Sequence, residues 1–299
     1  MFKLRYGYFI SGITIGCILL FSFLWSLPDG KLHIVFCNVG QGDAAYIRLP
    51  DGRDMLIDGG PDDKVLGCLG KHMPFWDRDL DLAVLSHPQS DHMEGFVSVL
   101  ERYRVGYFVR SDITNTSEGY QKLHELIQQK KIAEKLVTSG DQVTIGKTSF
   151  AIIWPSDNQI ALMHRQKNTI TDRQGKNVLG SQSQANLNDG SVVLWLRYGS
   201  FDALFPGDAD NHVNRQFTGT PLADETVEVL KVPHHGSKTG MTESFVTWLK
   251  PKLAIISVGK NSYGHPSKEA MNLLSSVGSR ILRTDQKGDI EVVSDGKNW

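Results

Sequence analysis

Residues 80–92 read LDLAVLSHPQSDH, and this stretch decides the fold that we expect for the chain. Its first six residues, Leu80–Leu85, form an apolar run that is typical of a buried strand. His87, Asp91 and His92 follow within a few positions. Imidazole nitrogen and carboxylate oxygen together suit zinc, manganese or iron. The stretch therefore predicts a strand that delivers metal ligands to the loop at its end.

Three later stretches repeat this design, in which an apolar run leads to a ligand-type residue in a turn with glycine or proline. Asp208 ends the sequence LFPGD, His234 and His235 lie in VPHHGS, and His265 lies in YGHP. Taken alone, Asp208 could equally be a helix N-cap. Strand ends are rigid mounts, and the loops beyond them supply exposed groups. Because four such coincidences are improbable in a structural protein, we expect these residues to assemble a metal site.

The remaining pattern predicts two packed sheets with helices outside, a layered α/β arrangement. Strands are predicted in blocks, with helices between the later ones. Residues 164–188 are polar and aperiodic, which predicts a long surface loop. The predicted strands are 32–36, 44–49, 55–57, 80–85, 142–145, 149–154, 191–196, 203–205, 227–232, 253–258 and two near the C-terminus. The predicted helices are 64–72, 94–103, 119–131, 242–249 and 267–275.

The N-terminal segment is a separate physical object. Residues 6–27 carry no charged side chain, and at about 1.5 Å per residue a helix of this length spans roughly 33 Å, enough to cross a bilayer. Lys3 and Arg5 precede it, which favours a cytoplasmic N-terminus. A cleaved signal peptide and a buried soluble helix are the alternatives. We expect residues 1–30 to be a membrane anchor and residues 31–299 to form one folded domain.

Composition excludes several classes of protein. The 299 residues contain 32 Lys+Arg against 33 Asp+Glu, a formal net charge of −1, so a generally basic nucleic-acid binder is not expected. The chain is 40% hydrophobic, which excludes global disorder. Three cysteines without a CxxC pair cannot form a disulfide-rich scaffold or a cysteine zinc site. A metal would therefore be held by His, Asp and Glu.

Together the motifs resemble the metallo-β-lactamase fold superfamily, whose signature is H-x-H-x-D-H followed by later Asp and His ligands. Within that superfamily, residues 31–295 closely resemble the C-terminal domain of ComEC-type competence proteins, a family of DNA-uptake channels. The motifs that carry the resemblance are NVGQGD at 38–43, LIDGG at 56–60, the cluster at 87–92, PGD at 206–208, HHGSK at 234–238 and NSYGHP at 261–266.

The resemblance implies a four-layer αβ/βα sandwich of the metallo-β-lactamase fold, preceded here by one transmembrane helix, with the site at one edge of the sandwich. It implies a divalent metal, zinc or manganese, with one or two ions per chain. Asp208 would be the carboxylate able to bridge two ions. The metal ligands that it implies are His87, Asp91, His92, Asp208 and His265.

Asp91, His234 and His235 are the catalytic residues under the same resemblance. Asp91 would hold the attacking water as well as ligate, and one of the two histidines would act as general acid. The reverse assignment, in which His235 is the late ligand and not His265, stays open. Asp58 would orient a ligand, and an ordinary turn role for it stays open too.

The chain departs from the superfamily pattern at two positions. Gln89 stands where the second histidine of the signature is expected, and Asn186, Asn188 or Asp189 stands where the middle histidine is expected. Both changes remove nitrogen ligands from the same metal position. We therefore expect one well-formed metal site and a second that is weak, substrate-dependent or better suited to manganese than to zinc.

The resemblance points to phosphodiester hydrolysis of DNA, most naturally single-stranded DNA. Basic and aromatic residues near the motifs could contact it, namely Lys231, Lys238, Lys260, Tyr263 and Lys268. The anchor predicts a single-pass protein of the cell membrane with the hydrolase domain on the extracytoplasmic side. Since the chain has one hydrophobic segment, it cannot itself transport DNA. Either a separate channel protein is its partner, or the protein is a nuclease on the outer side with another role, such as nutrition or defence.

Two other functions remain open at this point. One is a metallo-hydrolase that acts on another ester, a lactone, a thioester or a β-lactam, because a fold does not determine a reaction. The other is a membrane-anchored binding module without catalysis, which Gln89 favours because it removes a metal ligand.

Overall fold

The computed structural model describes residues 3–25, 27–168, 187–219 and 226–299 of the chain. The strands are β1 (Leu32–Phe36), β2 (Ala45–Arg48), β3 (Asp54–Ile57), β4 (Asp79–Leu85), β5 (Arg104–Arg110), β6 (Ala133–Leu136), β7 (Gln142–Ile145), β8 (Thr148–Trp154), β9 (Val193–Tyr198), β10 (Phe201–Phe205), β11 (Val229–Lys231), β12 (Leu253–Ile256), β13 (Arg280–Arg283) and β14 (Ile290–Ser294). The helices are α1 (Lys3–Trp25), α2 (Lys64–His72), α3 (Ser90–Arg102), α4 (Glu118–Gln129), α5 (Asp157–Asn168), α6 (Asn211–Phe217), α7 (Glu243–Leu249), α8 (Lys268–Ser276) and α9 (Thr284–Lys287), with a 3₁₀ turn over Pro233–Gly236.

The strands form two sheets of seven. The first has the order β14-β1-β2-β3-β4-β5-β6 and the second the order β13-β12-β11-β10-β9-β8-β7. In the first sheet β3 to β6 are parallel, and in the second β10 to β13 are parallel. The other neighbouring strands are antiparallel. Each sheet therefore has a block of parallel strands whose carboxyl ends meet at one edge.

Side chains on the strands alternate between two cores. On β1, Ile34 and Phe36 pack between the sheets, whereas Val35 packs toward the helices. Phe36 stacks on Phe205 of the opposite sheet with ring centroids 5.8 Å apart. Helices α2, α3 and α4 cover the first sheet, and α6, α7 and α8 cover the second. The result is an α/β sandwich of two sheets between helix layers, as predicted, and burial on both faces explains the apolar runs.

The element predictions agree with the structure in most places, and β1 and α2 have the predicted bounds. Strands β5 and β6 and helices α5 and α6 form where no such element was predicted. The predicted loop over residues 164–188 is wrong at its start, because α5 continues to Asn168. The part of that loop from 169 to 186 lies outside the described residues.

The predicted anchor, residues 1–30, contains helix α1. Apolar side chains along α1, such as Phe9 and Ile18, are exposed. None of the helices in the described ranges combines the length and the apolar content that a membrane crossing requires. The membrane-spanning helix predicted from the sequence is therefore not supported by the structure.

A disulfide joins the first strand to the first helix of the folded domain. Cys37, directly after β1, is bonded to Cys68 on α2, and their Cα atoms are 5.8 Å apart. Both residues are buried. Cys17, the third cysteine, is exposed and unbonded. One buried cross-link of this kind is compatible with the absence of a disulfide-rich scaffold.

Candidate metal centre

The site lies where the parallel strands of both sheets end. Asp58 directly follows β3, and His87 follows β4 by two positions. Across the sandwich, Asp208 follows β10, and His235 lies in the 3₁₀ turn that follows β11. Since the carboxyl ends of parallel strands share an edge, residues far apart in the sequence converge there. Residues from three of the four apolar runs, namely Asp91, His92, Asp208 and His235, meet at this edge, whereas His265 from the fourth run lies apart from them.

Four side chains form a group whose ligand atoms all lie within 4.8 Å of one another: Asp91, His92, Asp208 and His235. Nε2 of His92 is 3.2 Å from Oδ1 of Asp208. Nε2 of His235 is 3.3 Å from Oδ2 of Asp91 and 3.4 Å from Oδ2 of Asp208. The two sheets thus contribute two residues each, and two nitrogens and two carboxylates face a common centre.

This group has the properties of a metal site. His92 and Asp208 are almost completely buried. Among the described residues, neither Nε2 of His92 nor Oδ1 of Asp208 has a hydrogen-bond partner of suitable geometry. Leaving a buried polar atom unpaired is costly, so such atoms call for a ligand. Two imidazoles and two carboxylates suit zinc, manganese or iron.

Asp58 fixes the orientation of His92. The Nδ1–H of His92 donates to Oδ2 of Asp58 at 2.8 Å, which turns Nε2 toward the centre. Asp58 itself accepts hydrogen bonds of 2.7 Å from the backbone N–H and from the hydroxyl of Ser86. Its backbone is left-handed, with φ of 58°, a conformation that costs energy for a residue other than glycine. These contacts match an orienting role behind the metal ligands.

His235 is held in a comparable way by the backbone. Its Nδ1–H donates to the carbonyl of Ser257 at 2.9 Å, so Nε2 points toward Asp91 and Asp208. His234 and His235 both have left-handed backbone angles, with φ of 49° and 52°. Two successive left-handed residues turn the chain sharply, and as a result the two neighbouring imidazoles reach different parts of the site.

The histidines and carboxylates of the group stabilise one another's charged forms. Burial disfavours a charged His235, yet the carboxylates of Asp208 and Asp43 outweigh burial and raise the pKa of His235 to about 10. Burial likewise disfavours a charged His92, but Asp208 and Asp58 raise its pKa well above the usual value. Burial opposes ionisation of Asp208, and the two histidines nevertheless hold its pKa well below the usual range. The metal-free site therefore attracts positive charge strongly.

Three known proteins are similar in sequence to most of this chain. ComE operon protein 3 of Bacillus subtilis (strain 168) is 26% identical over 291 residues, which cover 91% of this chain and 34% of that protein. Competence protein ComA of Neisseria gonorrhoeae is 26% identical over 89% of this chain and 33% of its own length. Recombination protein 2 of Haemophilus influenzae is 27% identical over 94% of this chain and 31% of its own length. The chain is a homologue of the ComEC-type competence proteins.

The chain spans about a third of the length of these relatives. No protein-family model matches the chain. Solved structures show the fold: the metallo-β-lactamase fold protein YhfI from Bacillus subtilis has a TM-score of 0.52 at 11% identity, covering 88% of this chain and 100% of YhfI. Igni18, a metallo hydrolase from Ignicoccus hospitalis, has a TM-score of 0.53 at 13% identity, and the match covers 88% of this chain and 98% of Igni18. The predicted metallo-β-lactamase fold is confirmed.

His87, predicted as a ligand, lies beside the group of four and not within it. Its ring centroid is 4.2 Å from that of His92, and its Nδ1 is 3.0 Å from Oγ of Ser86. Its Nε2 is buried without a hydrogen-bond partner among the described residues. Burial and the neighbouring His92 lower the pKa of His87 to about 3, so the ring is neutral. Gln89 is also buried and interacts with His87.

His265, the other predicted ligand, lies on the far side of His234. The two ring centroids are 5.6 Å apart, and His265 is only half-buried. Its loop is held by Asn261, whose side chain donates to the carbonyl of His265 and accepts from its N–H. His265 is not part of the group of four. The geometry therefore favours the open alternative, in which His235 is the late ligand.

His234 faces the site from a more open position. Its side chain is 24% exposed, and its Nδ1–H donates to Oδ1 of Asp210 at 2.9 Å. The hydroxyl of Thr239 donates to the same oxygen at 2.9 Å. Nε2 of His234 is 3.9 Å from Oδ2 of Asp208. Burial disfavours a charged His234, but Asp210 and Asp208 outweigh it and raise its pKa.

Two charged residues of the site, Asp43 and Lys231, differ from what the sequence predicts. Asp43 carries no predicted role, yet it is buried beneath the group of four. Lys231, expected near DNA, is buried as well, and its ammonium contacts Asp43. The DNA-contact prediction for Lys231 is wrong, because β11 lies inside the second sheet and is buried along its length. A lysine within the otherwise apolar run VLKV was the available signal.

A close contact between the loop after β1 and the first turn of α3 positions Asp43. The backbone N–H of Asp43 donates to the carbonyl of Asp91 at 3.1 Å. Gly42 has φ of 151°, and a Cβ atom added there would lie 2.3 Å from the same carbonyl oxygen. Only glycine allows this approach. The NVGQGD motif therefore brings a carboxylate beneath the metal ligands.

The positions expected to replace the middle histidine are placed in part. Asn186 lies outside the described residues. Asn188 is buried, with no hydrogen-bond partner for its Oδ1 within the described ranges. Oδ1 of Asp189 is 2.7 Å from Nε2 of His212. Asp189 belongs to no group of metal-type ligands among the described residues.

Proposed function

We propose that the protein is a metal-dependent hydrolase that cleaves phosphodiester bonds in DNA, with single-stranded DNA as its substrate. The observation that carries this proposal is the convergence of Asp91, His92, Asp208 and His235 at the common edge of the two sheets. Nε2 of His92 and Oδ1 of Asp208 are buried without a hydrogen-bond partner among the described residues, which fits a divalent ion, and the chain is a homologue of competence proteins.

The four residues would hold one zinc or manganese ion. A bound divalent ion supplies Lewis acidity toward a phosphoryl oxygen and lowers the pKa of water into the neutral range. Asp91 is the most exposed member of the group, with a side chain 28% exposed. Its carboxylate can therefore accept a hydrogen bond from the attacking water as well as ligate. The second, weaker ion that the sequence predicts beside His87 and Gln89 is not part of this proposal, because His87 lies outside the group of four.

His234 is placed to move a proton at the leaving group. Asp210 accepts from its Nδ1–H, so its Nε2 is turned toward Asp208 and the open side of the site. A proton delivered from Nε2 to the departing sugar oxygen would avoid the expulsion of an alkoxide. General acids of this kind typically contribute about 10² to 10⁴ in rate. His235, by contrast, is held among the metal ligands.

Exposed basic and aromatic side chains close to the site motifs in the sequence support contact with DNA. Lys238, Lys260 and Lys268 are exposed, and Tyr263 is 71% exposed. Lysine ammonium groups attract phosphates, and an exposed aromatic ring can stack on an unpaired base. Because bases are available for stacking in unpaired strands, this surface favours single-stranded DNA.

Attachment to the membrane through residues 1–30, with the hydrolase domain outside the cytoplasm, is part of the proposal. The exposed apolar side chains of α1 and the buried disulfide Cys37–Cys68 support it, because disulfides persist in oxidising compartments. A separate channel protein would be the partner in DNA uptake. Fractionation of cells, followed by protease treatment of spheroplasts, tests both attachment and sidedness.

The experiment that tests the activity compares three substrates with manganese and with zinc: single-stranded DNA, a bis-aryl phosphodiester and a chromogenic β-lactam. We expect the first two to be hydrolysed, and Asp208→Asn to abolish both activities. Hydrolysis of the β-lactam alone would favour the other hydrolase. Equal rates for wild type and Asp208→Asn would favour the non-catalytic binding module, for which the buried Gln89 beside His87 is the supporting feature.

A further inference from the structure

The ammonium group of Lys231 lies in a pocket made of oxygen atoms, directly beneath the group of four. Lys231 is 4% exposed. Its Nζ contacts a carboxylate oxygen of Asp43, donates to the carbonyl of Gly207 at 3.0 Å, and lies 3.5 Å from Oδ1 of Asp208. Two carboxylates and a carbonyl form the kind of hard-oxygen environment that suits a cation. The ammonium therefore occupies a cation position that the fold itself builds.

This position adjoins a second group with metal-type geometry. Asp43, Asp58 and His92 have ligand atoms within 4.8 Å of one another. Asp43 also lies 3.4 Å from Nδ1 of His235 and 3.7 Å from Nδ1 of His92. Asp208 connects the two positions, because its Oδ1 faces Lys231 and His92 while its Oδ2 faces His235. The site thus has the layout of two adjacent cation positions that share carboxylates.

We propose that the Lys231 ammonium is the resident cation of the position beside Asp43, here called the lower position. This centre therefore takes a single divalent ion, in the upper position formed by the group of four. The proposal rests on the metal centre of the proposed function. A divalent ion placed beside a fixed ammonium would be repelled. The ammonium also neutralises part of the charge of the shared carboxylates, which weakens their attraction for a second ion. An ordinary structural ion pair would require only Asp43. The contacts of Lys231 to Gly207 and Asp208 show that it also holds the ligand-bearing turn.

Two substitutions of Lys231 separate its charge from its bulk. Methionine keeps most of the aliphatic stem and ends before the ammonium, so Lys231→Met leaves Asp43 and Asp208 without their cation. Lys231→Arg keeps the charge and serves as the matched control. We expect one manganese ion per chain in wild type and in Lys231→Arg. In Lys231→Met we expect a second ion, with affinity at the lower position raised at least about tenfold.

The measurement is equilibrium dialysis against manganese, with metal counted per chain by mass spectrometry and folding checked by circular dichroism. The double variant Asp43→Asn with Lys231→Met removes a carboxylate together with the ammonium. We expect its count to return to one ion, which attributes the second ion to uncompensated charge and not to added space. Urea unfolding in a chelator gives a second readout: Lys231→Met is less stable than wild type, and the double variant is more stable than Lys231→Met.

Two ions in the wild-type protein at saturating manganese would overturn the proposal, and so would a folded Lys231→Met that still binds one ion with unchanged affinity. The wild-type count decides by itself if Lys231→Met does not fold. A wild type that binds two ions and cleaves DNA refutes this inference and leaves the proposed function standing. One bound ion without phosphodiester cleavage refutes the proposed function and leaves this inference standing. The absence of any bound ion refutes the proposed function and this inference together.

Discussion

Nδ1 of His92 lies 2.8 Å from Oδ2 of Asp58, and both side chains are buried where β3 and β4 end. This contact joins a residue of the LIDGG motif to a residue of the SHPQSDH stretch. Because it occupies one ring nitrogen of His92, the other nitrogen is committed to the centre. The quality of the metal site thus depends on a carboxylate that is not itself in the group of four.

Replacement of Asp58 by asparagine is predicted to weaken metal binding by about 10-fold to 100-fold, because the orientation of His92 is lost. Competition titration with a metal-sensitive dye gives the affinity. The exposed Asp63, at the start of α2, provides the control: Asp63→Asn has the same chemistry and should change nothing. An unchanged affinity in Asp58→Asn would assign Asp58 to the turn alone.

The contact between His234 and Asp210 predicts a dependence on the leaving group. His234→Ala and Asp210→Asn should slow cleavage of DNA by about a hundredfold or more, since an alkoxide leaving group needs a proton. Hydrolysis of a bis-aryl phosphodiester, whose phenolate leaves without help, should fall by less than about tenfold. Rates on the two substrates, measured with each variant, test this. Equal losses on both would indicate that His234 acts in binding or folding.

The raised pKa of His235 predicts how the metal-free protein responds to pH. Its ordinary pKa of 6.5 is raised to about 10 by folding. Above pH 7 the unfolded chain has released this proton while the folded protein keeps it, so stability falls as pH rises from 7 through 10. Metal binding strengthens over the same range, because fewer protons must be displaced.

Urea unfolding in a chelator at pH 7, 8, 9 and 10 measures the pH effect. His235→Gln serves as the control, and its stability should vary less across this range. His87, whose pKa is lowered to about 3, is neutral in both states there and does not contribute. Stability of the metal-free wild type that increases toward pH 10 would contradict the assigned charges.

The Cys37–Cys68 bond is predicted to stabilise the domain by about 3 to 4 kcal/mol, the entropy expected for closing a loop of this length. The bond closes over a separation of 31 residues. Chemical unfolding with and without a phosphine reductant measures the difference. Cys17→Ser should leave the result unaltered, because Cys17 is exposed and unbonded. Equal stability of the oxidised and reduced forms would show that α2 is held by packing alone.

Much of the fold could be predicted from periodicity, because strands buried on both faces leave continuous apolar runs. Strand β4, which precedes the decisive loop, is an example. Strand β5 was missed for the complementary reason: its sequence RVGYFVR mixes arginine and glycine with apolar residues, and several of its positions are exposed. Its pairing with β4 along six residue pairs stabilises β5 as a strand, although its own sequence pattern does not predict one.

The candidate site was predictable in its parts and not in its arrangement. Asp91, His92 and Asp208 each follow an apolar run, and that rule finds them. The choice between His235 and His265 depends on left-handed backbone angles at 234 and 235. These angles could not be predicted from the sequence. The burial of Lys231 likewise follows from the position of β11 within the second sheet.

The pairing of β14 with β1 brings the last strand of the chain beside the first strand of the domain. During translation the first sheet therefore stays incomplete until residues near 290 have left the ribosome. His92 and Asp208, contributed by opposite halves of the sandwich, are separated by more than a hundred positions of synthesis. The group of four therefore cannot assemble before His235 has been synthesised.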